Sequence, residues 1–227
     1  LPILMARVFE GLQRAAPDIQ GMASRVSVFG ISWLPPVFLR LFDALSRHVD
    51  VQLFLMNPCR EFWGEIRSES AIARAAKGKG GAFSPDAAWL ETGNRLLASL
   101  GTLGRDFLNE VTGLSGVMTE AFMEPEGNGL LHAIQSDILN LREPDPSRLK
   151  SLDPLDDTLR IHACHSTMRE VQVLYDQVLA MFETDPGLKP EEILVLTPDI
   201  EPYAPFVEAV FDAPGEGLPR IPFSIAD

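Results

Sequence analysis

The chain lacks acidic side chains at a turn where a nucleotide-driven α/β motor would carry them. Val26–Phe29 predicts a short buried strand, and Gly30 begins the turn that follows it. No Asp or Glu lies between Arg25 and Asp43. In a motor, carboxylates at the end of such a strand hold magnesium on the phosphates and position the attacking water. If the fold is that of a motor, its chemistry is missing at this turn.

Long apolar runs and cysteines are also scarce. No stretch approaches the roughly 20 apolar residues that span a bilayer, so we expect no membrane partner. The first residues have no basic segment followed by an apolar run and a cleavage site, which argues against a secretory signal. They also lack an initiator Met, which predicts an internal part of a longer protein. Two cysteines, Cys59 and Cys164, are too few for a disulfide framework and favour a reduced, cytoplasmic protein.

Basic charge is scarce as well, and the net charge is −13. The charge is +1 over residues 1–62, −3 over residues 63–150 and −11 over residues 151–227. No basic stripe of the kind that binds nucleic acid occurs. Any contact with DNA must therefore come from a few individually placed side chains or from neighbouring segments.

Residues 1–62 have the pattern of a strand–helix–strand unit. We predict a strand over residues 26–31, a helix from Pro35 to about Arg47, and a second strand over residues 50–56. Proline is tolerated at a helix start. The nearly continuous apolar character of the second strand is typical of a sheet covered on both faces. Short connections between these elements predict a parallel sheet with a right-handed crossover.

Residues 63–150 have the pattern of a helical connection. Residues 77–81, Lys-Gly-Lys-Gly-Gly, suggest a phosphate loop, but no strand precedes them and no Ser or Thr follows the lysine. We interpret them as a flexible surface loop. Helices are predicted over residues 86–111, with a break near Gly101 and Gly104, and over residues 129–141. A proline-marked linker follows, at Pro144, Pro146 and Pro154.

Residues 151–227 begin a second α/β segment. We predict three strands, over residues 158–164, 193–196 and 219–225. Thr167 is predicted as the N-cap of the helix after the first strand, with Glu170 completing a capping box. A short helix is predicted over residues 203–211. A sheet of so few strands is expected to be incomplete.

Two groups of residues suggest metal binding by their composition. His162 and Cys164 share one face of the predicted strand, but His165 points to the other face and four-ligand zinc spacing is missing. The linker also carries a group of acids, Asp153, Asp156 and Asp157. A solvated linker explains these acids better than a metal site does. We therefore predict no metal ligands, no catalytic residues and no bound cofactor within this chain.

Five side chains are candidates for contact with DNA. His165 and Ser166 follow the first predicted strand of the second segment, at the edge where α/β sheets bind ligands. Arg60 and Arg169 carry the charge that phosphates require, and Trp63 can stack on an unpaired base. The ordinary alternatives stay open. Polar residues at strand ends commonly form hydrogen bonds with backbone groups, and tryptophans commonly pack in cores. Single arginines are ordinary surface residues.

Longer strings of residues resemble the RecC family, the gamma subunits of bacterial exodeoxyribonuclease V. The resemblance begins with Val28-Phe-Gly-Ile-Ser-x-Leu-Pro-Pro36 and Asn57-Pro-Cys-Arg-x-Phe-Trp-Gly64. Further strings follow over residues 96–107, 130–139, 152–156, 162–174 and 198–206. Because these strings cover almost the whole chain from residue 25 onward, they are more specific than any short motif. They indicate an internal part of a RecC-like subunit.

The resemblance implies a fold of helicase type. RecC-like subunits are folded like UvrD-type helicases, with two RecA-like, P-loop NTPase-like parallel-sheet domains that have lost their ATPase residues. Residues 1–62 would then be the end of the first RecA-like domain and residues 63–150 a helical connecting segment. Residues 151–227 would be the start of the second RecA-like domain.

The resemblance also implies partners and a role. RecB-like and RecD-like subunits would complete a bacterial cytoplasmic heterotrimer, and these partners would use the ATP and magnesium. The RecC-like subunit would hold the motors and guide single-stranded DNA from a duplex while scanning it for the Chi sequence, in double-strand break repair by homologous recombination. Thr197-Pro-Asp199 stands where active helicases of this class carry a phosphate-contacting arginine, so a non-catalytic role is expected.

Two alternatives remain from the sequence. One is an active α/β NTPase or helicase whose catalytic motifs lie outside these residues. The other is a pure protein–protein scaffold that touches no DNA. Only an experiment on the five candidate side chains can distinguish this scaffold from a DNA-guiding module.

Overall fold

A parallel βαβ unit and a set of short helices form the first part of the chain, and a helical unit follows. The computed structural model describes residues 2–12, 21, 23–78, 93–143, 153, 155–212 and 217–226. The chain divides into two units, Leu1–Leu159 and Arg160–Asp227. The division into three parts at residues 62 and 150 stays a prediction.

The described residues of the first unit form two strands and six helices. The strands are β1, Arg25–Val28, and β2, Asp50–Leu53. The helices are α1, Pro2–Leu12; α2, Pro36–Leu45; α3, Glu69–Gly78; α4, Arg95–Leu100; α5, Thr102–Thr112; and α6, Leu130–Leu139.

β1 and β2 pair in parallel, with Val28 opposite Leu53. The ladder continues one residue further, because the N–H of Phe54 donates to the Val28 carbonyl at 2.8 Å. α2 connects the two strands and begins at Pro36, where the fixed φ and the missing N–H of proline suit the first helical position. The predicted strand–helix–strand unit and its parallel pairing are confirmed. Both strands, however, are shorter than predicted, and none of their residues is buried, so the predicted burial of the strands is wrong.

A small apolar core joins the segment after β2 to α4. Its buried members are Cys59, Trp63, Ile66, Leu97 and Ala98. Trp63 is 2% exposed, and its indole N–H donates to Asn57 Oδ1 at 2.9 Å. Burial raises the pKa of the Cys59 thiol, which therefore stays neutral in this core. Ile138 and Leu141 also pack against the core, so α6 is attached to it.

Glycine separates α4 from α5, as predicted. The N–H of Gly101 donates to the Leu97 carbonyl at 2.8 Å and ends α4. A Cβ at Gly101 would lie 2.9 Å from the Trp63 ring, so only glycine lets the chain pass this close to the core. The break predicted near Gly101 and Gly104 is confirmed at Gly101, whereas Gly104 lies inside α5. The helix predicted over residues 129–141 is confirmed as well. Residues 86–92 of the predicted helix lie outside the described part of the chain.

One long helix organises the second unit. This helix, α7, is Thr167–Thr184, and it is followed by a 3₁₀ turn, Pro190–Glu192, by α8, Ala204–Val207, and by a π-helical turn, Glu208–Asp212. The buried core of the unit consists of Val171, Tyr175, Val178, Phe211 and Ile221. Tyr175 and Phe211 meet edge to face, with ring centroids 5.3 Å apart. The helices predicted in this part of the chain are confirmed.

The strands predicted in the second α/β segment are not formed by the residues that the structure describes. Residues 158–164, 193–196 and 219–225 are neither helix nor strand, and the described residues contain one sheet, of two strands. A strand is defined by hydrogen bonds to a neighbouring strand, which an apolar pattern alone cannot guarantee. The described residues therefore form a mixed α/β fold with one parallel pair of strands, and two RecA-like domains are not confirmed.

The start of α7 is shifted by one residue from the prediction. Ser166 is the N-cap, with extended backbone, and its Oγ accepts a hydrogen bond from the Arg169 N–H at 3.3 Å. Thr167 is the first helical residue, so the predicted capping box is wrong. The Glu170 carboxylate instead accepts a hydrogen bond from the Tyr203 hydroxyl at 2.7 Å.

Some predicted features fall on residues outside the described ranges. α3 extends to Gly78, which places the first two residues of the predicted loop 77–81 in a helix, and the other three are outside. The linker prolines Pro144, Pro146 and Pro154 are outside as well. No helix that the structure describes has the length and apolar character needed to cross a membrane.

Replacing Trp63 with Ala tests whether this core stabilises the first unit. The substitution removes a buried indole, and we expect it to lower the free energy of unfolding by about 3–5 kcal/mol. Trp33→Ala is the matched control, because Trp33 is 50% exposed, and it should cost less than about 1 kcal/mol. Urea unfolding followed by circular dichroism measures both variants. Equal unfolding midpoints would contradict the assignment of Trp63 to the core.

Candidate functional site

The carboxyl edge of the β1–β2 pair is the first candidate site, because α/β sheets bind ligands at this edge. Gly30 turns the chain after β1 with a φ of 72°, in the left-handed region that favours glycine. Phe29 and Phe54, the residues that directly follow the two strands, are 73% and 57% exposed. No carboxylate occurs in residues 29–35 or 54–60. Residues directly after either strand therefore supply no acidic ligand for magnesium.

Arg60 is the first cation in sequence after β2. Its backbone N–H donates to the Leu139 carbonyl at 2.9 Å, which attaches the segment to α6. Its guanidinium lies 2.8 Å from Glu124 Oε1, and its side chain is 35% exposed. The charge of Arg60 is thus partly balanced by a neighbour, while part of the guanidinium faces solvent.

Trp63, predicted as a base-stacking residue, lies in the core of the first unit. Only 2% of it is exposed, and its one hydrogen-bond donor already pairs with Asn57. A base could stack on this ring only if the core opened. In this conformation the ordinary packing role of tryptophan accounts for Trp63.

His165, Ser166 and Arg169 lie together around the first turn of α7. His165 and Arg169 are exposed, and one Arg169 amino group donates to Gln172 Oε1 at 3.4 Å. The Ser166 hydroxyl is engaged as the helix cap. The structure therefore brings these three predicted residues together, whereas Arg60 and Trp63 belong to the other unit. Contact of any of the five with DNA stays a prediction.

The residues weighed as metal ligands do not converge. His162 and His165 are exposed and Cys164 is a free, partly buried thiol. Within the described ranges, no group of three His, Cys, Asp or Glu side chains is placed to hold a metal ion. One of the three linker acids, however, has a defined structural role.

Asp156 and Thr158 form a clamp on the N-terminus of α6, which the sequence did not reveal. The Leu130 N–H donates to Asp156 Oδ2 at 2.6 Å, and the Leu131 N–H donates to Thr158 Oγ1 at 3.2 Å. Asp156 Oδ1 in turn accepts hydrogen bonds from the hydroxyl and the N–H of Thr158, at 2.7 and 3.0 Å. These contacts satisfy helix N–H groups that have no partner inside the helix. Asp156 was predicted to lie in a solvated linker; its side chain is half-buried and, in addition, accepts hydrogen bonds at the start of α6.

The clamp holds a negative charge at the positive end of α6. The hydrogen bond from the Thr158 hydroxyl, followed by those from the N–H groups of Thr158 and Leu130, lowers the pKa of the Asp156 carboxyl below its ordinary value. Beside the clamp, Gly127 adopts a φ of 125°, and a Cβ there would lie 2.6 Å from the His132 ring. His132 Nδ1 is buried without a hydrogen-bond partner. The ring is thus held by close packing against Gly127.

Replacing Asp156 with Asn tests the clamp. Because the folded-state pKa is lowered, the carboxylate stabilises the fold fully above the ordinary aspartate pKa of about 4, and this stabilisation disappears as the pH falls through the folded-state pKa. We expect the substitution to lower the melting temperature at pH 7. The difference between the parent chain and the variant should shrink as the pH falls below about 4.

Asp153→Asn is the matched control for this measurement. Asp153 Oδ1 accepts a hydrogen bond only from the nearby Leu155 N–H in the described contacts, at 2.9 Å, and holds no helix terminus. Thermal unfolding between pH 3 and pH 7 measures the three proteins. A difference between parent and Asp156→Asn that is independent of pH would contradict the role of the charge.

Comparison with known proteins agrees with the family resemblance of the sequence. The family model for RecC, N-terminal domain, matches residues 3–141. RecBCD enzyme subunit RecC of Escherichia coli K12 is 39% identical over 256 residues, which cover 99% of this chain and 22% of the relative. The subunit from Haemophilus influenzae is 36% identical over 91% of this chain and 20% of the relative. That from Mycobacterium tuberculosis H37Rv is 33% identical over 84% of this chain and 17% of the relative.

These matches are extensive enough to assign the chain to a family. The chain spans about a fifth of the length of the curated relatives that it matches. The family model nevertheless covers more than half of the chain, and the match to the Escherichia coli subunit covers nearly all of it. The chain therefore belongs to the RecC family.

Proposed function

We propose that this chain is a non-catalytic part of a RecC subunit, which holds the motor subunits and guides single-stranded DNA within the exodeoxyribonuclease V complex. The observation that carries the proposal is the parallel βαβ unit whose carboxyl edge has no carboxylate in residues 29–35 or 54–60. A nucleotide-hydrolysing site of this fold type needs acids there for magnesium and for the attacking water. The relatives are named as subunits of the RecBCD enzyme, which supports a role inside an assembly.

The proposed assembly follows from family membership. RecB-like and RecD-like subunits are its protein partners, and they supply the ATP- and magnesium-dependent steps. In this proposal residues 1–62 and 151–227 belong to two helicase-like, RecA-like domains, and residues 63–150 connect them. The role belongs to double-strand break repair by homologous recombination in the bacterial cytoplasm, with Chi as the scanned sequence.

Contact with DNA is assigned to few residues, because the net charge of −13 opposes nonspecific attraction of a polyanion. Arg60 and Arg169 are exposed cations next to ordered backbone, one after β2 and one in the first turn of α7. Guanidinium groups pair with phosphate oxygens through two parallel hydrogen bonds. His165, exposed beside Arg169, adds a hydrogen-bonding ring to the same turn.

The absence of hydrolysis is tested on a purified full-length subunit that contains this sequence, without its partners. We expect no ATP hydrolysis above a protein-free blank, because the carboxyl edge of β1 and β2 supplies no acid. The reconstituted complex is the positive control and should hydrolyse ATP under the same conditions. Magnesium-dependent hydrolysis by the subunit alone would favour the rival interpretation, an active NTPase.

Guidance of DNA is tested by the salt dependence of binding in the reconstituted complex. If Arg60 or Arg169 contacts a phosphate, replacing it with Ala should weaken binding of a single-stranded oligonucleotide. The slope of log K against log salt should then become shallower by about 0.7 per lost contact. Fluorescence anisotropy at several salt concentrations measures this slope.

Arg25→Ala is the matched control, because Arg25 lies at the opposite, amino end of β1 and pairs with Asp50 at 2.7 Å. It should leave the slope unchanged. If Arg60→Ala and Arg169→Ala both behave like this control in a fully assembled complex, these residues do not contact DNA. The scaffold interpretation then holds for them.

A further inference from the structure

The carboxylate of Glu124 lies within a set of hydrogen-bond donors. Arg60 contributes its guanidinium, whose Nη2 is 2.8 Å from Glu124 Oε1. Two further donors lie at the outer limit of hydrogen bonding, because the Ser136 hydroxyl donates to Oε2 at 3.4 Å and the Asn140 amide donates to Oε1 at 3.5 Å. Arg142 joins this set indirectly, since its Nη2 donates to the Ser136 hydroxyl at 2.8 Å. Guanidinium, hydroxyl and amide groups are also the donors with which proteins bind the phosphate oxygens of DNA.

The charges of this set allow one anion to be exchanged for another. Arg142 has an acid of its own, because its Nε lies 3.2 Å from Asp137 Oδ1 on the last turns of α6. Glu124 is therefore the carboxylate that balances Arg60 among the described ion pairs. A DNA phosphate carries one negative charge. It could take the place of the Glu124 carboxylate without leaving the Arg60 guanidinium unbalanced.

The connection that carries Glu124 is attached at few points. Residues 113–129 connect α5 to α6 and form neither helix nor strand. Within the described residues, no hydrogen bond between backbone groups involves residues 115–128. The Ser115 hydroxyl donates to Asp43 Oδ1 at 2.7 Å, and Glu124 supplies the other described side-chain contacts of this connection. Since the Glu124 side chain is 54% exposed and exposed ion pairs are weak, a polyanion can displace it while both helices stay folded.

We infer that Glu124 is an internal competitor of DNA for Arg60. In the absence of DNA its carboxylate holds the guanidinium, and a phosphate of the bound strand takes its place. The inference rests on the proposed contact of Arg60 with DNA and adds the regulation of that contact. The competitor weakens the binding of every strand by the same factor, which favours a strand that passes Arg60 over one that stays bound. Arg169 differs in this respect, because its described side-chain contact is with the uncharged Gln172.

Replacing Glu124 with Gln tests the competition in the reconstituted complex. Gln keeps the size of the side chain and removes its charge, so Arg60 is released. We expect the Kd for a single-stranded oligonucleotide to fall about two- to fivefold, the range that corresponds to the loss of an exposed ion pair. In a complex that also carries Arg60→Ala, the same substitution should leave the Kd unchanged, because no guanidinium remains to be released. Fluorescence anisotropy at one fixed salt concentration measures both effects.

Glu126→Gln is the matched control for this measurement. Glu126 is exposed on the same connection and forms none of the described ion pairs or hydrogen bonds. Its substitution removes the same charge from nearly the same place. At about 0.15 M salt, charges more than about 8 Å apart are largely screened, so the Kd should stay close to that of the parent complex.

Each other outcome overturns the inference. An equal gain in affinity with Glu126→Gln would mean that only the total charge matters, and a gain that persists with Arg60→Ala would place the competition at another residue. If Arg60→Ala weakens binding while Glu124→Gln does not strengthen it, Glu124 holds Arg60 in position and does not compete with DNA. The proposed contact of Arg60 with DNA then stands. If neither substitution changes the Kd, this contact fails together with the competition.

Discussion

Backbone pairing between β1 and β2 is the constraint on which the interpretation of this chain depends. The parallel register brings Phe29 and Phe54 to the same edge and sets the turn at Gly30 above it. Which chemistry the edge can perform then follows from which residues come next in sequence. Because carboxylates are absent from residues 29–35 and 54–60, the pairing means that neither of these two segments brings an acidic magnesium ligand to this edge. Without the pairing, the missing acids would have no structural meaning.

Sequence reasoning succeeded where local rules act alone. The period of apolar residues located α6 and α7, and the glycine at position 101 marked the break between α4 and α5. It failed for the strands of the second unit, because pairing depends on a neighbour that the pattern does not contain. At the start of α7, Ser166 and Thr167 are both suitable caps, and only the backbone conformation decides between them. The burial of Trp63 was one of two open alternatives, and its 2% exposure and its hydrogen bond to Asn57 favour the packing role in this conformation.

The clamp on α6 shows a different limit of structure prediction from the sequence. Asp156 accepts a hydrogen bond from the N–H of Leu130, which lies 26 residues before it in the sequence. The usual rule that a cap residue directly precedes its helix therefore could not identify it. The one local signal is the Asp-x-Thr spacing, which allows Thr158 to donate back to Asp156. Gly129, the residue that does precede α6, has no side chain with which to cap. The helix end therefore requires a partner from elsewhere in the chain, and the acid next to the unit boundary provides it.

The turn after β1 depends on residues whose role is independent of any carboxylate. Gly30 is needed for a backbone of positive φ, and Pro36 for the first position of α2. Both requirements concern backbone geometry and are independent of any carboxylate at the end of the strand. In nucleotide-hydrolysing proteins, acids at such an edge serve magnesium and water, whereas Gly30, Pro36 and the β1–β2 ladder serve the fold. Residues of the first kind can therefore be absent while those of the second kind keep the strand, turn and helix in place, which is the combination that this chain displays.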